Sequence, residues 1–173
     1  KIGLIRWLRD RSIVYLHRQP PKSILIEGQV FYLDPNDELG LSLRGVYEPF
    51  ETEIFKTEIK KGDVVLDIGA FTGYYTVIAS NLVGSSGKVI AFEPVPANFF
   101  LLKKNVGKNK NVIPLQKAVS DKNGESSMFI PPQLSGSSLS LTEIPQRRDG
   151  KMTKIETVTV DSLLPFLGLQ KID

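Results

Sequence analysis

The sequence predicts an α/β fold built on a parallel sheet, and three observations carry that prediction. Val64-Val65-Leu66 is a short, β-branched apolar run that reads as a buried strand. The apolar period then changes: Tyr74, Val77, Ile78 and Leu82 fall on one face at 3.6 residues per turn, so a helix follows. A second apolar run, Lys88 to Phe92, reads as another strand and ends in a carboxylate, Glu93. Between the first strand and its helix lie Asp67, Gly69 and Gly73. Strand, glycine turn, helix is the unit that points a helix N-terminus and free backbone N–H groups at a ligand. The stretch reads as a nucleotide-type site.

Spacing decides which nucleotide suits it. A dinucleotide fingerprint needs glycine two positions after Gly69, where the backbone meets a pyrophosphate, and Phe71 stands there instead. A Walker loop ends in Gly-Lys-Ser/Thr, whereas Gly73 is followed by Tyr74 and Tyr75. A ligand without phosphate, an adenosine carrying an amino acid, fits better, and that describes S-adenosylmethionine. Glu93 lies 26 residues after Asp67, near the roughly 20-residue interval that sets an acid on a ribose. A carboxylate there can accept from both ribose hydroxyls. Gly69 is expected to take a φ that an L-residue resists, and Gly73 to bring the helix close to the strand or the ligand.

At this point the residues carry a resemblance. VVLDIGAFTGYYT, AFEPVPANFFLLKKNV, AVSDKNGE, SGSSLS and TVTVDSLL, in that order, resemble the FkbM-type family of S-adenosylmethionine-dependent methyltransferases over roughly Val46 to Asp173. The resemblance implies a Rossmann-like class I methyltransferase sheet and methyl transfer, usually to a hydroxyl of a sugar or natural product. It assigns Asp67 and the turn Gly69, Ala70, Phe71, Thr72, Gly73 to the methionine moiety. Glu93 is assigned to the ribose, Pro94 is taken as a neighbouring contact, and Ala118 and Val119 are assigned to the adenine. Tyr47-Glu48-Pro49 matches a segment near the methionine end, where Glu48 would pair with the ammonium or soften the sulfonium charge. Two bland readings stand beside these: Asp67 as a turn-capping acid, and Glu48 as a solvated acid near a helix start.

Composition bounds the rest. With 41% hydrophobic and 24% charged residues, 173 residues suit a globular unit with its own core. There is no cysteine and a single histidine, His17, so disulfides, thiolate metal sites and His-rich metal centres are excluded. No apolar run approaches the roughly 18 residues that span a bilayer, and the expected location is the cytoplasm. The pI of 9.1 misleads, because residues 1–22 carry a net charge of +5 and the remainder −2. The body is slightly acidic, which argues against nucleic acid as a partner.

The chain divides into an N-terminal extension, residues 1–45, and a cofactor domain, residues 46–173. Residues 1–18 mix Ile2, Ile5, Trp7 and Leu8 with Arg6, Arg9 and Arg11, an amphipathic helix pattern. It reads either as a peripheral membrane or partner contact or, preferably, as a helix packed on the domain. It does not read as a signal peptide. Ser23 to Ile26 and Gln29 to Leu33 form a hairpin around Glu27-Gly28, and Asp34-Pro35-Asn36-Asp37 a turn. Helices are expected over Glu51 to Lys60 and Ala97 to Val106, and a third strand over Val112 to Gln116. Asp121-Lys122-Asn123-Gly124 is turn chemistry first and an adenine contact second. A two-residue period returns in Ser127 to Ile130 and Ile155 to Val160. The long polar segment Pro131 to Lys151 between them reads as a lid over the acceptor or as a surface insert.

Lys171-Ile172-Asp173 matches the start of the family's fourth strand, so the sheet is expected in the spatial order 3-2-1 with strand 4 only beginning. The sequence thus reads as the cofactor half of a truncated sheet, the acceptor pocket and general base lying beyond it. The acceptor is expected to be a small molecule or glycan. Two other classes stay open: a non-catalytic S-adenosylmethionine-binding module, and an NAD-type oxidoreductase, which Phe71 opposes.

Overall fold

The computed structural model describes residues 21–131, 150–169 and 171–173. The expected basic helix at 1–18 and residues 132–149 of the expected lid lie outside them. Two strands, β1 (Ser23–Ile26) and β2 (Gln29–Tyr32), pair antiparallel with Leu25 opposite Val30. Glu27 and Gly28 between them have φ of 48° and 77°, the positive pair whose twist suits a two-residue hairpin. Asp34 then closes the expected turn, accepting the N–H groups of Asn36 and Glu38. A short helix that the sequence did not announce, α1 (Leu41–Arg44), follows because the Asp37 carboxylate accepts the N–H groups of Leu41 and Ser42, both at 2.9 Å. Helix α2 runs Pro49–Glu58, proline taking the first-turn position where its missing N–H costs nothing.

The central sheet comes from β3 (Val64–Ile68), β4 (Lys88–Phe92) and β5 (Val112–Leu115), all parallel, with β4 in the middle. This is the expected order 3-2-1 and a Rossmann-like arrangement. Helices α3 (Tyr74–Val83) and α4 (Pro96–Val106) supply the crossovers. The pleat sorts the side chains to two faces. Val65, Val89 and Val112 pack with Ala79 and Val83 of α3, while Val64, Leu66, Ile90, Phe92, Ile113 and Leu115 face the other way. Both faces are therefore apolar, as a parallel sheet requires. Asp173 lies against β3 on the edge away from β4, its N–H donating to the Val64 carbonyl at 3.1 Å.

The opposite face is covered by a second, three-stranded sheet and its helix. β6 (Ala118–Val119), β7 (Gly124–Ile130) and β8 (Lys151–Val158) are arranged with β8 central, antiparallel to β7 and parallel to β6. The two-residue period suggested a strand as far as Val160, but it stops at Val158. Thr159 instead caps helix α5 (Val160–Phe166), its hydroxyl accepting the Ser162 N–H at 3.2 Å. Leu163 of α5 then packs on Ile90 and Phe92.

The hairpin shares the main core. Ile26 and Phe31 pack in one cluster with Tyr74, Ile78, Leu102 and Val106. Asn105, 4% exposed, ties the pieces: it accepts the Tyr32 N–H at 2.7 Å and donates to the carbonyls of Tyr32 and Thr72 at 3.0 and 2.8 Å. Asn105→Ala strands a buried N–H and two carbonyls, so a loss of about 2 kcal/mol is expected. Urea unfolding of the variant would measure it, and a loss below about 0.5 kcal/mol would mean that the hairpin does not depend on this side chain.

Candidate functional site

The cleft lies beyond the C-terminal ends of β3 and β4, where ligands of open α/β sheets collect. Its volume is about 380 Å³, within the range of small-ligand sites. Asp67 near the end of β3, Gly69, Ala70 and Phe71 after it, and Glu93 and Pro94 after β4 form its floor, with Glu48 at one side. The structure thus brings together seven of the residues singled out from the sequence. Thr72 and Gly73 lie buried beneath it, and neither lines it. Ala118 and Val119 do not line it either; Ala118 packs behind Val95 and Met128, which do. Asp121 is exposed and accepts from the Ser120 hydroxyl at 3.1 Å, as turn chemistry would have it.

Four of the five N–H groups of the turn Gly69 to Gly73 are already engaged within the protein, which corrects the expectation of free N–H groups. The N–H groups of Gly69 and Ala70 both donate to the Phe92 carbonyl at 2.9 Å, that of Gly73 to Ala70 at 2.7 Å, and that of Phe71 to Glu93 Oε2 at 2.9 Å. A phosphate would find none of these four donors available. Gly69 has φ +84°, and a Cβ there would meet open space. At Gly73, φ +94°, a Cβ would stand 2.8 Å from Leu102 Cδ1, so this glycine admits helix α4 rather than a strand or a ligand. Phe71 and Glu48 themselves hold positive φ, 50° and 42°. Such strain in non-glycine residues of a cleft costs roughly 1–3 kcal/mol each and is tolerated where the surroundings over-determine it.

Three carboxylates face the cleft, and no lysine, arginine or histidine among the described residues lines it. Glu93, 4% exposed, accepts from Phe71 N–H, from Val95 N–H at 2.9 Å and from Asn98 Nδ2 at 3.3 Å. Burial pushes its carboxyl up to about 6 from an ordinary 4.5, against the pull of those donors; nearby Asp67 adds a smaller push. Asp67 is also raised by burial, while the Thr76 hydroxyl and backbone N–H hold it down. That contact realises the turn-capping role, yet the same carboxylate lines the cleft. Glu48 accepts the Tyr75 hydroxyl at 3.2 Å.

Sequence reasoning missed the aromatic wall and Asn98. Tyr47, Tyr74 and Tyr75 line the cleft beside Glu48 and stack edge to face, Tyr74 and Tyr75 at 5.2 Å between centroids. Tyr74 was legible only as a core position. The signal for Asn98 was a poor helix former placed in a helix's first turn, five residues after the acid.

A model of the methyltransferase FkbM domain matches residues 67–173, more than half of the chain. The chain belongs to the FkbM methyltransferase family. Shorter stretches of the chain are similar to curated methyltransferases. One is "Probable cobalt-precorrin-6B C(15)-methyltransferase (decarboxylating)" of Saccharolobus solfataricus, 49% identical over 53 residues, 31% of this chain and 27% of that one. Another is protein-L-isoaspartate O-methyltransferase 2 of Archaeoglobus fulgidus, 41% identical over 39 residues, 22% of this chain and 18% of that one. The chain thus spans about a quarter or less of the length of these relatives. Among solved structures, a SAM-dependent methyltransferase from Aquifex aeolicus is 30% identical, covering 49% of this chain and 47% of that one at a TM-score of 0.39.

Proposed function

We propose that this FkbM domain is the cofactor-binding part of an S-adenosylmethionine-dependent methyltransferase acting on a hydroxyl of a sugar or natural product. One observation carries the cofactor: the cleft offers three carboxylates, no cationic side chain among the described residues, and a turn four of whose N–H groups are already used. Such a site suits a ligand bearing a sulfonium and an ammonium and rejects one bearing phosphates. The open space off Gly69 leaves the backbone approachable, and the aromatic wall offers cation-compatible faces. When bound, S-adenosylmethionine supplies an activated methyl group.

The chain's own residues bind and orient. Glu93 accepts from the ribose, Pro94 and Val95 continue that wall, and Asp67 and Glu48 set negative charge at the amino-acid end. Ala118 acts on the adenine side through Val95 and Met128. Alignment for an in-line displacement is the contribution such a scaffold makes. Support for the hydroxyl acceptor comes from the resemblance to the FkbM-type family alone. The location that accompanies this reading is the cytoplasm; among the described residues no helix is long and apolar enough to cross a membrane.

Calorimetric titration with S-adenosylmethionine, S-adenosylhomocysteine and NADH tests the cofactor. The two adenosyl ligands are expected to bind and NADH is not. Binding of NADH would overturn the reading. The acceptor is tested by mass spectrometry of glycans and hydroxylated small molecules incubated with S-adenosylmethionine and the enzyme containing this domain. Methylation of a protein carboxyl instead would overturn the hydroxyl assignment.

A further inference from the structure

Glu93 cannot serve both hydroxyls of a ribose by itself. A carboxylate has about four acceptor directions. Three are taken by Phe71 N–H, Val95 N–H and Asn98 Nδ2, which leaves one, on Oε2. Beside it stands a second acceptor that the protein leaves unused. Asn98 lines the cleft at 1% exposure, and its Oδ1 is buried with no hydrogen-bond partner among the described residues. Its orientation is forced, because an ionised carboxylate only accepts, so the amide must turn its NH₂ to Glu93. The carbonyl oxygen is thereby presented elsewhere. A buried acceptor without a donor has lost its hydration uncompensated, and a native site carries that cost where a ligand relieves it.

We infer that Glu93 and Asn98 read a cis-diol as a pair, the remaining Oε2 acceptor of Glu93 taking one hydroxyl and Asn98 Oδ1 the other. The inference rests on the adenosyl reading of the cleft and adds a specificity residue to it. A cis-diol has two adjacent donors, and the hydrogen bond from Asn98 Nδ2 to Glu93 Oε1 keeps the two side chains that carry the acceptors next to each other. The same pairing makes the site selective: a deoxyribose would leave one acceptor buried and unpaired, the situation in which discrimination is strongest.

The experiment is a coupling measurement with S-adenosylhomocysteine and its 2′-deoxy and 3′-deoxy forms, titrated into the wild-type chain and Asn98→Leu. The wild type is expected to lose about tenfold in affinity with either deoxy ligand. Asn98→Leu is expected to lose about tenfold for the full ligand and to become indifferent to removal of one of the two hydroxyls only. Asn98→Ser, whose hydroxyl is too short to replace the amide, repeats the measurement should the leucine variant fail to fold. If the variants stay as sensitive as the wild type to loss of each hydroxyl, Asn98 is structural and the inference falls alone. If the wild type binds no adenosyl ligand, the cofactor reading falls and takes the inference with it.

Discussion

Adenosyl-ligand affinity is expected to fall about tenfold between pH 7 and pH 5, and Glu93→Gln to abolish most of that dependence. Burial holds the Glu93 carboxyl at about 6. A ligand that needs the ionised form meets mostly carboxylate at pH 7 and about one part in ten at pH 5. Stability should run the other way. The folded value lies above the ordinary 4.5, so this group's contribution is fully present below about 4.5 and is lost as pH rises through about 6. The shift corresponds to about 2 kcal/mol. The unliganded protein should therefore lose stability over the interval in which it gains affinity, and Glu93→Gln should flatten both slopes. A residual slope in the variant belongs to Asp67 and Asp34, which burial also raises. Glu93→Ala is the harsher test. Losing a hydrogen bond to a charged group costs roughly 1.5–3 kcal/mol, or about 10- to 100-fold in affinity. It also leaves the N–H groups of Phe71 and Val95 without their acceptor. Calorimetry from pH 5 to 7.5, paired with thermal melts, reads both slopes. A wild-type affinity that does not move with pH would remove Glu93 from the ligand's contacts.

The parts of this fold that were legible in the sequence are those governed by neighbours along the chain. Val64-Val65-Leu66 and Val89-Ile90-Ala91 are continuous apolar runs because their strands are covered on both faces, and continuity survives in sequence. Glu27-Gly28 marks a hairpin because its two positive φ values are a local matter. The C-terminal helix was hidden because β-branched Thr157, Val158, Thr159 and Val160 continue a strand pattern, and what ends the strand is a cap formed by Thr159 with Ser162. In the site, Asp67 and Glu93 stood out as acids that end apolar runs. The state of the turn did not, since its Phe71 N–H is spoken for by a carboxylate 22 residues away. Gly73 could be read as special, but its neighbour, Leu102, is supplied by a different helix. Asn98 was legible only as a poor helix former in a first turn; its meaning lies in an acceptor left without a donor, which no spacing records.

Gly87→Ala should be the most damaging small substitution in the scaffold, and it isolates sterics from strain. Gly87 has φ −94° and ψ −179°, which any residue adopts. Its Cβ would nonetheless fall 2.5 Å from Val83 Cβ, 2.6 Å from the Asp63 carbonyl oxygen and 2.9 Å from that of Val83. Neither oxygen is free to retreat. The Asp63 carbonyl accepts the Lys88 N–H at 3.0 Å, aligning β4 with β3, and the Val83 carbonyl accepts the Gly62 N–H at 2.9 Å. Overpacking of this kind costs about 1–3 kcal/mol, and breaking one of those bonds adds about 1. A loss of about 3 kcal/mol is expected, or roughly 6–12 °C in melting temperature for a chain of this size. Gly45→Ala is the matched comparison. Its φ is +70° and its Cβ would meet open space, so backbone strain alone should cost about 1 kcal/mol. If Gly87→Ala proves milder than Gly45→Ala, α3 does not end against the start of β4 as tightly as this packing requires. The sheet register that carries Asp67 and Glu93 to one cleft would then need another source.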